Sequence, residues 1–232
     1  MRIPKKDGKT RALGIPTVKD QIMQTALVLL LEPIFQADMH AESYGYRKGK
    51  NAHQALDSIC RGLYSGRHAM IDADISGYFD NIVHAKLMKF VSRRVSDGSI
   101  LKLIKEFLAA PVVENATGRK NDQGTPQAQG GVLSLLLANI YLIDLNHQVN
   151  GAAGEGAQMV RYADDLVILC RHQQVSGLHH RLDLYLKVSI NQHFFKHSFV
   201  NTLQQTGPYL DMDAITTIHG SSSTLITIET HR

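Results

Sequence analysis

Cysteine is scarce in this sequence. Only Cys60 and Cys170 occur among the 232 residues, far apart and each within an apolar stretch. A disulfide framework or a structural zinc site needs more closely patterned cysteines than these. The sequence therefore favours two reduced, buried thiols, as in a cytosolic protein.

Long hydrophobic runs are also missing. The N-terminal residues 1–8 lack the apolar core of a signal peptide. The most apolar stretches, around Val28–Leu31 and Val132–Leu137, are too short to span a bilayer. We find no internal repeat and no Pro-rich or Gly/Ser linker. These absences predict a cytoplasmic protein of one or two domains without a membrane partner.

The charge balance is mildly basic, with 25 Lys and Arg residues against 21 Asp and Glu residues, a formal net charge of +4. Such an excess suits a polyanionic partner, but proteins that bind no nucleic acid are often equally basic. Charge alone leaves nucleic-acid binding open.

Turn and capping signals organise the first part of the chain. Asp7-Gly8 predicts a hairpin turn between two short extended segments. Thr17 and Asp20 form a capping pattern for a helix that should end at Pro33, and Asn51 can cap a second helix.

Strands and helices alternate after residue 66. His68–Ile75 predicts a strand, and Met159–Tyr162 with Leu166–Leu169 predicts a hairpin. Helical patterns cover residues 85–95, 100–108, 132–145 and 175–188. This alternation implies an α/β or α+β fold.

Three acids stand where the predicted strands end. Asp74 follows one strand, and Asp164-Asp165 occupy the tip of the hairpin. Adjacent carboxylates repel each other unless a cation lies between them. Nucleotidyl transfer uses two divalent ions about 4 Å apart, and Mg²⁺ prefers oxygen ligands. Asp is also common in solvated turns, so this short motif alone leaves both interpretations open.

Further motifs resemble the successive blocks of the reverse transcriptase family, and two of them are similar to group II intron-encoded enzymes. The general blocks are Asp74–Ile82, Gly124–Gln127, Gly130–Ser134 and Tyr162–Asp165, and the group II blocks are Arg11–Pro16 and Ser43–Arg47. The resemblance implies an RNA-directed DNA polymerase that transfers a dNTP to a primer 3′ hydroxyl. The expected partners are an RNA template, a DNA primer, the dNTP and intron RNA.

The resemblance also implies an α+β right-hand polymerase with an antiparallel palm sheet packed on helices. Residues 1–66 would form a fingers-like region, residues 67–190 the palm, and residues 191–232 a divergent tail of unknown structure. No thumb segment is recognisable in the sequence.

Site residues follow from the same resemblance. Asp74, Asp164 and Asp165 would be catalytic and bind two Mg²⁺ ions, with Mn²⁺ as an alternative. Lys5 and Arg11 resemble the family's triphosphate contacts, and Arg is suited to bidentate contact with phosphate oxygens.

Two further residues have an open role. Phe79 stands where the family's aromatic ring crowds the 2′ carbon of the nucleotide, although a core aromatic would fit the same position. Arg47 could contact the template or nucleotide, or form a structural ion pair.

One loop departs from the family pattern Pro-Gln-Gly-Gly. It reads Pro126-Gln127-Ala128-Gln129-Gly130-Gly131, with two additional residues. Either Gln127 or Gln129 would face the nucleotide, and Gly130 would permit close approach of the backbone. This departure keeps two alternatives to polymerase activity open: a maturase-like RNA-binding protein, or an inactive remnant that retains the fold.

Overall fold

The structure is a computed structural model that describes most of the chain. The described residues are 2–4, 10–12, 14–75, 78–110, 112–113, 120–121, 131–151, 156–187 and 199–202. Lys5, Gln127, Gln129 and Gly130 lie outside them, and Arg11 and Asp74 are described by their backbone alone.

The described residues form helices and antiparallel strands, which confirms the predicted α+β class. The helices are α1 (Val18–Gln36), α2 (Ala52–Tyr64), α3 (His84–Ser92), α4 (Gly98–Ala109), α5 (Val132–Tyr141), α6 (Ile143–Gly151) and α7 (Val175–Tyr185). The strands are β1 (Arg2–Pro4), β2 (Thr10–Ala12), β3 (Ala69–Asp74), β4 (Val112–Val113), β5 (Lys120–Asn121), β6 (Gln158–Tyr162), β7 (Asp165–Cys170) and β8 (Phe199–Thr202).

The chain divides into two compact units, each made of two separate segments. Unit 1 comprises Met1–Met39 and Gly77–Ile143, and unit 2 comprises His40–Ser76 and Asp144–Arg232. These units do not follow the successive boundaries at residues 66 and 190. The assignment of regions to fingers, palm and tail stays a prediction.

Unit 2 is built on a four-stranded antiparallel sheet in the order β6-β7-β3-β8. β7 is buried at every position from Leu166 to Cys170, as expected for an interior strand covered on both faces. α2 contacts β6 and β7, and α7 contacts β3. β8 lies in the predicted tail, where no sequence pattern indicated a partner, and pairs with β3.

In unit 1, α1 begins with the predicted capping box between Thr17 and Asp20. The prediction that it ends at Pro33 is wrong, because the helix continues to Gln36. An internal proline costs about 3 kcal/mol. The next residues include Phe35, 1% exposed, and Met39, 8% exposed. Burial of each contributes about 1.5 to 3 kcal/mol, which together offsets the proline.

The helix predicted over residues 132–145 is interrupted at Leu142, where α5 ends and α6 begins at Ile143. Every residue from Leu136 to Leu142 is buried, so the sequence has no amphipathic period that marks the break. Among the described residues, the stretch Val132–Gly151 has the length and composition of a membrane span, but 56% of an 18-residue window within it is buried inside the protein. The core helix of a soluble protein has the same properties. The cytoplasmic location stays a prediction.

Asn51 forms the predicted cap of α2, and removing it should weaken the fold. Its Oδ1 accepts from the Gln54 amide at 2.9 Å, and Gln54 Oε1 accepts from the Asn51 amide at 3.0 Å. We expect Asn51→Ala to lower the free energy of unfolding by about 1 kcal/mol, because an N-terminal amide loses its acceptor. Asn51→Asp keeps an acceptor and should retain most of the stability. Urea denaturation followed by circular dichroism measures both, and an unchanged Asn51→Ala midpoint would contradict the assignment.

Candidate active site

Strand register brings the backbones of the three predicted acids to one end of the sheet. Asp74 and Asp165 are the last residue pair between β3 and β7, and Asp165 also pairs with Tyr162 of β6. Directly opposed residues of an antiparallel pair have Cα atoms about 4.5 to 5.5 Å apart. Asp164 precedes Asp165 in the turn, and both acids are half-buried. The end of the sheet therefore brings the backbones of the three acids together, and the convergence of their carboxylates stays a prediction.

The turn between β6 and β7 consists of two residues, Ala163 and Asp164. Ala163 has a φ of 59°, in the left-handed region. Hairpin turns of this length commonly need a positive φ and take Gly, Asn or Asp there. An alanine in this region is disfavoured by about 1 to 2 kcal/mol. Surrounding contacts must therefore hold the turn.

Arg161 provides one of these contacts. Its guanidinium donates from Nε to Asn146 Oδ1 at 2.7 Å, from Nη1 to the Ala163 carbonyl at 2.8 Å, and from Nη2 to Ser43 Oγ at 2.6 Å. Arg161, Asn146 and Ser43 are each only 1% exposed. We call these three side chains the arginine network. They connect α6 and the loop before α2 to the acid-bearing turn.

The loop before α2 also reaches β6 through its backbone. The Arg161 amide donates to the Glu42 carbonyl at 2.9 Å, and the Tyr44 amide donates to the Arg161 carbonyl at 2.8 Å. A β-carbon on Gly45 would overlap the amide nitrogen of Ala163 and lie 2.9 Å from the Tyr162 carbonyl carbon. Only a glycine leaves room for this backbone approach.

Arg47, predicted to contact the template, stabilises its own loop. Its Nη1 donates to the carbonyls of His40 at 2.7 Å and Ser43 at 2.6 Å, and the residue is 9% exposed. Burial lowers the pKa of the Arg47 guanidinium. These hydrogen bonds to backbone carbonyls give Arg47 a structural role, and both the ion pair and the template contact stay predictions.

Phe79 lies in a 3₁₀ turn, Tyr78–Asn81, in unit 1. It is 4% exposed, and its ring meets the Tyr78 ring edge-on with centroids 5.4 Å apart. The Tyr78 hydroxyl donates to the Ala138 carbonyl at 2.5 Å and fixes the pair. Phe79 is thus a core aromatic in this structure, and its nucleotide-facing role stays a prediction.

The predicted triphosphate and loop residues are described only in part. The backbone of Arg11 pairs with Ile3 in the antiparallel β1–β2 ribbon, as the turn signal at Asp7-Gly8 predicted. Lys5 and the loop residues Gln127, Gln129 and Gly130 lie outside the described residues. Their roles stay predictions.

The donor chemistry of the acids fits a divalent cation. Carboxylate oxygens are hard ligands that suit Mg²⁺ or Mn²⁺. Among the described side chains there is no cluster of three His, Cys, Asp or Glu residues that could hold a metal, and the side chain of Asp74 is not among those described. Two half-buried carboxylates and the opposed position of Asp74 form an incomplete but suitable donor set.

Sequence reasoning missed Arg161, Ser43 and Asn146. One signal was available, because Arg161 is a cation within an otherwise apolar predicted strand, directly before the Tyr162–Asp165 motif. Ser43 belongs to the Ser43–Arg47 block, but no local pattern indicated its contact with Arg161, which lies 118 residues away in the chain.

Comparisons with known proteins agree with this architecture. Residues 3–198 match the family model described as reverse transcriptase (RNA-dependent DNA polymerase). Protein YkfC of Escherichia coli K12 is 38% identical over 154 residues, covering 64% of this chain and 39% of that protein. The group II intron-encoded protein LtrA of Lactococcus lactis is 41% identical over 147 residues, covering 63% of this chain and 24% of that protein.

The chain therefore spans only 39% and 24% of the lengths of these two relatives. Among solved structures, apo telomerase from Candida tropicalis, truncated from its C-terminal domain, superposes with a TM-score of 0.62. The match covers 90% of this chain and 50% of that chain at 13% identity. At this identity the likeness concerns the fold alone.

Gly45 should be intolerant of any side chain. We expect Gly45→Ala to lower the free energy of unfolding by about 1 to 3 kcal/mol, because the added methyl group overlaps backbone that has little freedom to move. Gly49→Ala is a comparison with open space around it, although its φ of 75° adds backbone strain. The measurement is denaturant unfolding together with amide exchange at Ala163 and Asp164. If Gly45→Ala left both the amide exchange rates and the free energy of unfolding unchanged, the loop at Gly45 would not be in close contact with the turn.

Proposed function

Since the chain belongs to the reverse transcriptase (RNA-dependent DNA polymerase) family, we propose that it adds deoxynucleotides to a primer 3′ hydroxyl under the direction of an RNA template. The observation that carries this proposal is the strand register that sets Asp74 opposite Asp165, with Asp164 in the adjoining turn. The similarity to a group II intron-encoded protein supports the same type of enzyme.

Asp74, Asp164 and Asp165 are the residues that would hold divalent cations, which enzymes of this family generally use. Mg²⁺ is the ion we propose, in two positions, with Mn²⁺ as a substitute. When bound, such ions supply activation of the attacking hydroxyl and stabilisation of charge on the phosphate and leaving oxygens.

The chain's own contribution is to hold the backbone of Asp164 and Asp165 in place even when no ion is bound. Asp165 is paired on both sides, to Tyr162 and to Asp74, so its backbone cannot shift without breaking two ladders. Asp164 belongs to a turn held by the arginine network. Held carboxylates of like charge repel each other, and this repulsion favours cation binding.

The proposed partners are an RNA template, a DNA primer, a dNTP and intron RNA. Support comes from the name of the LtrA relative and from the basic N-terminal segment, with Lys5, Lys6, Lys9 and Arg11. Cationic side chains attract a phosphate backbone without regard to its sequence.

Primer extension on an RNA template with Mg²⁺ tests the function. We expect Asp164→Asn and Asp165→Asn each to reduce kcat more than about a hundredfold, because an amide is a weaker cation ligand and 1.36 kcal/mol corresponds to a tenfold rate change. Asp183→Asn is the control and should extend like the parent, since Asp183 lies on α7 and is paired at 2.6 Å with Lys187, two residues past the end of that helix. RNA binding without extension in the intact chain would contradict the proposal and favour the maturase-like alternative.

Sugar selection tests Phe79. If its ring crowds the 2′ carbon, Phe79→Val should raise ribonucleotide incorporation relative to deoxynucleotide by about tenfold or more. Phe90→Val is a matched loss of a ring that contacts Tyr141 in the same unit, and it should leave the ratio unchanged. A Phe79→Val enzyme that is merely less stable, with the parental ratio, would assign Phe79 to the core alone.

A further inference from the structure

The arginine network acts on one particular peptide group. The Ala163 carbonyl that accepts from Arg161 belongs to the peptide linking Ala163 to Asp164. A hydrogen bond to that oxygen sets the plane of the peptide, because the six atoms of a peptide group move together. The orientation of this plane sets the direction of the backbone at Asp164 and therefore the position of its side chain.

The preceding peptide is confined from another direction. Gly45 lies against the Tyr162–Ala163 peptide so closely that a β-carbon would overlap it. Both peptides flanking Ala163 are therefore held, one by backbone contact and one by a guanidinium. This accounts for the left-handed φ of 59° at a residue that is not glycine.

Burying a guanidinium has an unfavourable free energy of desolvation, so it is an unusual way to stabilise a strand. Ions taken out of water lose hydration, and an apolar side chain of similar volume is often equally or more stabilising. Arg161 is nevertheless 1% exposed, with donors directed at three separate parts of unit 2. Its planar fork can reach acceptors in three directions at once, which the ammonium of lysine on its flexible stem cannot reproduce.

We propose that Arg161 is a positioning residue, which with Ser43 and Asn146 holds the Ala163-Asp164 turn so that Asp164 and Asp165 keep the geometry that binds divalent cations. This inference rests on the proposed function, since it concerns the same carboxylates. It assigns Arg161 no contact with nucleotide or template.

A pair of serine substitutions tests the proposal. Ser43 and Ser58 are each 1% exposed, and each hydroxyl accepts from a β6 side chain. Ser43 accepts from Arg161 near the turn, and Ser58 accepts from Gln158 at the other end of the strand, at 2.9 Å. Ser58 also donates to Glu42, so its removal disturbs the same loop. Ser58→Ala is therefore a matched control for Ser43→Ala.

Mn²⁺ alone is the probe, titrated by electron paramagnetic resonance against the whole chain. We expect Ser43→Ala to weaken Mn²⁺ binding by about tenfold, the loss that follows removal of a group orienting metal ligands. Ser58→Ala should bind like the parent, while both variants lower Tm to a similar extent. In primer extension, Ser43→Ala should reduce kcat and leave the KM for dNTP unchanged.

Arg161→Lys provides a second variant, which keeps the positive charge but lacks the planar guanidinium and its several donors. It should weaken Mn²⁺ binding more than Ser43→Ala, because the bond to the Ala163 carbonyl is itself disturbed. If this variant fails to fold, the serine pair still decides the question.

Asp164→Asn separates the inference from the function on which it rests. If the parent and Asp164→Asn bind Mn²⁺ equally, the proposed cation site is wrong. If Asp164→Asn loses binding and Ser43→Ala does not, the positioning role of Arg161 is wrong. Equal losses in Ser43→Ala and Ser58→Ala would also overturn it, because they would reflect stability alone.

Discussion

The antiparallel pairing of β3 with β7 is the constraint on which the candidate site depends. Six residue pairs run from Ala69 opposite Cys170 to Asp74 opposite Asp165. Ile71 and Ile168, both 0% exposed, form one of the pairs in between. A shift of the β3–β7 register by one residue would turn every side chain of the shifted strand to the opposite face of the sheet. It would thereby move an acidic side chain towards the buried interior. Apolar burial therefore determines where the acids lie.

The pairing of β3 with β7 ends at Asp165, so it does not hold the turn at Ala163 and Asp164. The turn therefore requires a second kind of constraint. A left-handed alanine is disfavoured by about 1 to 2 kcal/mol. A hydrogen bond from a charged donor contributes about 1.5 to 3 kcal/mol, so the bond from Arg161 to the Ala163 carbonyl is sufficient to offset this strain. The close approach of Gly45 then removes the space into which the turn would relax.

Sequence predicted those features that depend on neighbouring residues. The capping boxes at Thr17 and Asn51 and the acids at strand ends follow from short patterns, and the structure has them. Pro33 within α1 and the pairing of β8 with β3 depend on distant burial and partners, which no local pattern specifies. The contact of Ser43 with Arg161 is missed for the same reason.

The two constraints act on different parts of the proposed cation site. Hydrophobic register is specific to within one residue, but it leaves the peptide planes of a two-residue turn free to rotate. Directional hydrogen bonds fix such planes, but a buried donor is stable only when its hydrogen bonds are satisfied. The guanidinium of Arg161, with three acceptors, meets that condition. Without these contacts, mutual repulsion would push the adjacent carboxylates of Asp164 and Asp165 apart in the absence of a cation. The buried Arg161 beside the acids therefore fits the proposed function, which needs the turn to keep its geometry whether or not a cation is bound.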